Sequence, residues 1–142
     1  MRTHVNTKAV YRIIDANVNR AKEGLRVCEE IARFILADRS LTAGFKNVRH
    51  GIDGIVAGMH PYAGLVLSRN SAGDVGRRVH TAREFSRKDF KDILFANMQR
   101  VKESVRVLEE FSKLQDVSAA GAFKQLRYRM YEVEKKAAAR LL

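Results

Sequence analysis

Asn17, Arg20 and Glu23 stand at helical spacing, and the same three residue types return as Asn97, Arg100 and Glu103. An amide beside a charged helix margin is expensive to leave idle, because a buried polar group without a specific partner costs desolvation. Such a stripe suits recognition of a small, polar, charged molecule. The stripe belongs to a longer repeat, Ala-Asn-x-x-Arg-x-Lys-Glu-x-x-Arg-Val-x-Glu-Glu, which runs without insertion from Ala16 to Glu30 and again from Ala96 to Glu110. A repeat kept only for packing would preserve apolar type. This one preserves particular polar groups, so two halves of the chain each contribute a polar helix stripe.

The elements that carry the stripes follow from periodicity. Ile14, Val18, Ala21, Leu25, Cys28, Ala32 and Ile35 recur at three-and-four spacing and predict a long amphipathic helix from Lys8 to Ala37. Asn17 falls inside its apolar face and is expected to be buried, with Arg20 and Glu23 on the margin. Lys22, Arg26 and Glu29 point more toward solvent, where they form surface pairs worth under about 1 kcal/mol each. Asn17 and Asn97 could also simply bond each other or a backbone carbonyl.

Asp38 and Arg39 interrupt the first helix, Ser40 can cap a second over about Leu41 to Met59, and the two form a hairpin. Pro61, Gly64, Gly73 and Gly76 mark a loop over residues 60–86, long enough to suggest function. Ser86 and Asp89 resemble a capping box for a helix over Arg87 to Leu114, and Asp116 or Ser118 can cap a last helix. Phe45-Lys46-x-x-Arg49 matches Phe123-Lys124-x-x-Arg127, so the duplication spans both hairpins. The expected fold is all-α: one domain over residues 1–142, with hairpins at about 7–59 and 87–142 forming a four-helix bundle-like unit.

The central loop holds Arg69, Asn70, Ser71, Gly73, Asp74 and Gly76. Arg69 can pair a phosphate, Asp74 can hold a divalent ion, and Gly73 and Gly76 let backbone amides approach a ligand. Arg49 and His50, adjacent on the second helix, are further substrate-binding candidates. His4, His50, His60 and His80 show no metal-ligand spacing. The single cysteine, Cys28, lies on the apolar face and reads as a small buried hydrophobe. A reducing, cytoplasmic setting is expected from it.

A formal net charge of +11 over 142 residues favours anionic partners. Aromatics do not interleave with the cations, which argues against nucleic acid, and no apolar segment suits a signal peptide or membrane span. The basic residues concentrate at Arg77, Arg78, Arg83, Arg87 and Lys88. No nucleotide-binding loop of the common kinds occurs.

The run from Arg12 to Val27, the loop Gly73-Asp74-Val75-Gly76, and the run from Ala96 to Glu103 resemble a known helical family. Its members occur N-terminal to thiamine phosphate synthase in some bacteria and also as free-standing proteins; with no synthase barrel after Leu142, the free-standing form is expected. The resemblance implies a phosphomethylpyrimidine kinase, transferring the γ-phosphoryl of ATP to 4-amino-5-hydroxymethyl-2-methylpyrimidine phosphate with Mg²⁺. Thiamine phosphate synthase would then be the downstream pathway enzyme. On that reading Arg20, Arg100 and Arg69 clamp phosphates, Asp74, with Glu23 or Glu103, binds Mg²⁺, and Asn17 or Asn97 reads the aminopyrimidine edge. Alternatives are a chorismate-mutase-like enzyme acting on another polyanion and a basic nucleic-acid-binding or adaptor protein. A homodimer is a further expectation, since two long helices could present a second apolar face.

Overall fold

The computed structural model describes residues 6–60 and 62–142. Met1 to Val5, Pro61 and the side chain of Arg83 lie outside the described residues, so the loop marker at Pro61 and the basic group at Arg83 are not placed. Five α-helices are present among the described residues, with no strand: α1 (Thr7–Glu30), α2 (Arg39–Ala57), α3 (Tyr62–Leu67), α4 (Phe90–Ser112) and α5 (Val117–Leu141). The expected all-α fold is thus observed. No helix among the described residues is long and apolar enough to cross a membrane.

The four long helices close a ring of contacts, with α1 against α2 and α4, and α5 against α4 and α2. The apolar stripes meet inside it: Ile14, Leu25 and Cys28 of α1, Phe45 and Ile52 of α2, Leu94, Met98 and Leu108 of α4, and Phe123 and Met130 of α5. Gly24 lets α1 and α4 approach closely, since a Cβ there would stand 2.9 Å from Val101 Cγ2 and 3.3 Å from the Asn97 carbonyl oxygen. Cys28 is fully buried and its Sγ faces the Leu94 carbonyl at 3.8 Å. Burial pushes its thiol up to about 12, in keeping with a core residue.

The hairpin connections differ from the expected ones in physically legible ways. Fourteen residues separate Glu30 from Phe45, but only twelve separate Glu110 from Phe123. The first hairpin absorbs its extra length in a π-helical turn at Ile31–Ile35 and in Ala37, whose φ is 49°. The Asp38 amide then donates to the Ala32 carbonyl at 2.9 Å, and Asp38, not Ser40, caps α2 by accepting from the Leu41 amide at 3.0 Å. At the second long helix Asp89, not Ser86, is the cap, accepting from the Asp92 amide at 3.0 Å, while Asp92 accepts from the Lys88 amide at 3.1 Å. Asp116 caps α5 as expected. The segment expected to be a plain loop contains α3, which buries Leu65, and a 3₁₀ turn at Ala82–Phe85.

Candidate active-site cleft

The repeated motif divides into two sets of side chains with different work. Lys22 and Glu29 tie α1 to α2, and Arg26 pairs Glu29 and Glu30 within α1. Glu29 is 3% exposed, so it is not the surface residue expected. The reason lies on α2, from which Arg49 reaches across to donate to Glu29 Oε1 through Nε at 3.2 Å and Nη2 at 3.1 Å, while Arg26 holds Oε2 at 3.0 Å. The second copy rebuilds the arrangement with Glu109, 4% exposed, between Arg127 at 3.0 Å and Arg106 at 3.4 Å. Lys22 pairs with Asp53 at 2.7 Å. Its counterpart Lys102 meets Glu134 at 2.9 Å, because Tyr131 stands where the first copy has Asp53.

Asn17, Arg20 and Glu23 form the other set, and they line a cleft of about 640 Å³ together with Arg12, Asp15, Ala16, Arg69 and Asp74. Two walls make it: one face of α1, and the loop that follows α3. Arg12 and Arg20 flank Ala16 at a separation of about 12 Å along the axis, the rise of eight helical residues at about 1.5 Å each. Neither guanidinium has an acceptor among the described residues. Arg69 is placed by Asp15, 7% exposed, which accepts from Nε at 2.6 Å and from Nη2 at 2.9 Å. That fork-to-fork pairing raises the Arg69 guanidinium further above its ordinary value, chiefly through the hydrogen bonds to Asp15.

Asn17 is buried, as its place on the apolar face implies, and its Nδ2 donates to the Ile13 carbonyl at 2.8 Å. Asn97 does the same with Ile93 at 2.8 Å, so each amide spends its donor inside its own helix. The Oδ1 of Asn17 meets no donor among the described residues, and Asn17 lines the cleft. Asp74 Oδ1 accepts from the Gly76 amide at 2.8 Å, and Asn70 Oδ1 from the Gly73 amide at 3.0 Å. Both glycines therefore shape the loop with the amides that were expected to face a ligand, and neither has a positive φ. No group of three or more metal-ligating side chains exists among the described residues. Glu23 and Asp74 do share the cleft, the sort of small carboxylate set that Mg²⁺ uses alongside phosphate oxygens.

Of the remaining expected site residues, Arg100 and Asn97 lie on α4 and do not line this cleft, and Glu103 lines a second one. Arg49 is engaged with Glu29, and the exposed His50 lines neither cleft. Sequence reasoning missed Arg12 and Asp15 as cleft residues. Arg12 lies on about the same helix face as Ala16 and Arg20, but its counterpart Asp92 breaks the repeat; Asp15 lies off that face and is brought to the cleft by Arg69 from the loop.

The family model described as the ThiD2 family matches residues 12–136. A protein of Rhodopirellula baltica named thiamine-phosphate synthase is 42% identical over 129 residues, which cover 91% of this chain and 34% of the relative. Proteins of the same name from Synechocystis sp. and Nostoc punctiforme are 44% and 42% identical, each covering 89% of this chain and 35% of the relative. The chain thus spans about a third of the length of these relatives. No solved structure matches it. The relatives' names correct the expected activity: they are thiamine-phosphate synthases and not phosphomethylpyrimidine kinases.

Proposed function

This chain belongs to the ThiD2 family, and from that premise we propose that it serves thiamine biosynthesis by holding a phosphorylated aminopyrimidine precursor in the α1 cleft. The relatives' names support the pathway. The observation that carries the site is the pair of unpartnered guanidiniums, Arg12 and Arg20, on either side of Ala16. Each can take two phosphate oxygens in a charge-assisted fork. Arg69, held by Asp15, keeps the loop wall in place, and Asn17 Oδ1 accepts from the amino group of the ring. Such a site discriminates against the unphosphorylated alcohol, which would leave both cations without a counter-charge.

Calorimetric titration with 4-amino-5-hydroxymethyl-2-methylpyrimidine phosphate, beside the free alcohol, tests the reading. The phosphate should bind, the alcohol should bind at least about tenfold more weakly, and Arg20→Ala should lose about 1.5–3 kcal/mol of the phosphate's affinity. Arg100→Ala should bind like the unmodified protein. Equal losses in both variants, or no binding of the phosphate, would refute the cleft assignment. Adding ATP and Mg²⁺ to the same mixture and following ADP tests the finer expectation of phosphoryl transfer.

A further inference from the structure

The internal repeat places a second cleft, of about 890 Å³, on α4 where α1 carries the first. Ala96, Gln99 and Glu103 line it as Ala16, Asn19 and Glu23 line their own, and the segment ahead of α4 supplies the far wall through Thr81, Glu84 and Lys88. The central loop therefore closes both clefts in turn, first near Arg69 to Asp74 and then near Thr81 to Lys88. The floors differ in chemistry. Asp15 is replaced by Phe95, which is partly buried against the core and also lines the cleft, and Arg12 is replaced by Asp92.

We propose that this second cleft binds a cationic heteroaromatic ring that carries a phosphate, the chemistry of thiamine phosphate, and so acts as a product site separate from the first cleft. Phe95 supplies a face for a planar ring. An electron-poor, cationic ring gains on that face and again from the carboxylates of Glu84, Asp92 and Glu103 around it. Glu84 has no partner among the described residues, Glu103 makes only a long 3.4 Å bond to Gln99, and one oxygen of Asp92 is taken by the Lys88 amide. The Lys88 ammonium, exposed at the rim, suits the phosphate end. An anion without a ring would meet the three carboxylates Glu84, Asp92 and Glu103 against the two cations Arg87 and Lys88, and so would gain no net counter-charge, which is why the first cleft's ligand should not settle in the second.

The choice of thiamine phosphate as probe rests on the proposed role in thiamine biosynthesis, whereas the ring-and-cation chemistry of the cleft does not. Titration of thiamine phosphate into the full chain should show binding that Phe95→Ala and Glu103→Gln each weaken roughly tenfold, and that Arg20→Ala leaves unchanged. Glu103 is exposed, so Glu103→Gln reads binding without a risk to folding, and helicity by circular dichroism checks Phe95→Ala. Loss of binding in Arg20→Ala alone, absence of binding, or an affinity for ATP removed by Phe95→Ala in place of one for thiamine phosphate would overturn the proposal. Binding of thiamine phosphate with no binding of the pyrimidine phosphate would instead refute the first cleft and leave this one standing.

Discussion

The two halves of the chain agree where they hold helices together and differ where they line clefts. Arg26, Glu29 and Arg49 return as Arg106, Glu109 and Arg127 in nearly the same arrangement. Arg12 and Asp15 return as Asp92 and Phe95. The longest shared stretch of polar sequence is therefore partly a fastening, repeated because each hairpin needs one. The chemistry that separates the halves sits at the positions where the repeat fails.

The fastenings offer the largest test of that division. A carboxylate as buried as Glu29 or Glu109 loses its main compensation when the arginine from the facing helix is removed, a change that costs about 3 kcal/mol. Arg49→Ala and Arg127→Ala should each lower unfolding stability by that amount in urea titrations, and neither should alter binding in the first cleft. Arg26→Ala, whose side chain is 56% exposed, should cost under about 1 kcal/mol. A large loss in one hairpin and a small one in the other would break the equivalence of the halves.

The crossing of α1 and α4 sharpens the comparison at smaller scale. Gly24 and Ser104 occupy matching places in the two copies; at Gly24 a Cβ would stand 2.9 Å from Val101 and 3.3 Å from a backbone oxygen, whereas Ser104 already carries one. Gly24→Ser should cost about 2 kcal/mol through overpacking. Ser104→Gly should cost about 0.5 kcal/mol, the helix-propensity difference between serine and glycine. Thermal unfolding of the two single variants compares them directly; equal costs would mean that the helix crossing is not as tight on the Gly24 side.

Periodicity made α1, α2, α4 and α5 legible, because each buries one stripe at three-and-four spacing and the stripes repeat between halves. α3 was not, since six residues ending in Leu-Val-Leu are too few to show a period. The burial of Glu29 was hidden for a different reason: the angular position of a residue on its own helix says nothing about a cation delivered from another. The same holds for Asp15, whose partner Arg69 arrives from the loop after α3. The cleft's Asn17, Arg20 and Glu23 were visible because repetition marked them, and Arg12 was not because the mark was missing.

His60 gives the smallest test and the one that joins the halves. It follows α2, is 8% exposed, and packs edge-on against Tyr11 of α1 at 4.6 Å between ring centres. Its Nε2 has no hydrogen-bond partner among the described residues. Gln115 and Asp116, in the turn between α4 and α5, face it from the second half. Burial lowers its titration below the ordinary value, and the side chain of Gln115 and the charge of Asp116 oppose that only in part. A group whose folded-state value is lowered stabilises the fold above the unfolded value, about 6.5, and that contribution is lost as pH falls through the lower folded value. His60→Phe keeps an aromatic ring against Tyr11 and removes both the titration and the unbonded nitrogen. Its unfolding stability should therefore fall less than that of the unmodified protein between about pH 7.5 and about pH 5, an interval that brackets the ordinary value of about 6.5. Carboxylates that titrate in the same interval are common to both proteins and cancel in the difference. Parallel stability curves would mean that His60 is as free to take a proton folded as unfolded, and that the contact between the end of the first hairpin and the turn of the second is looser than its geometry implies.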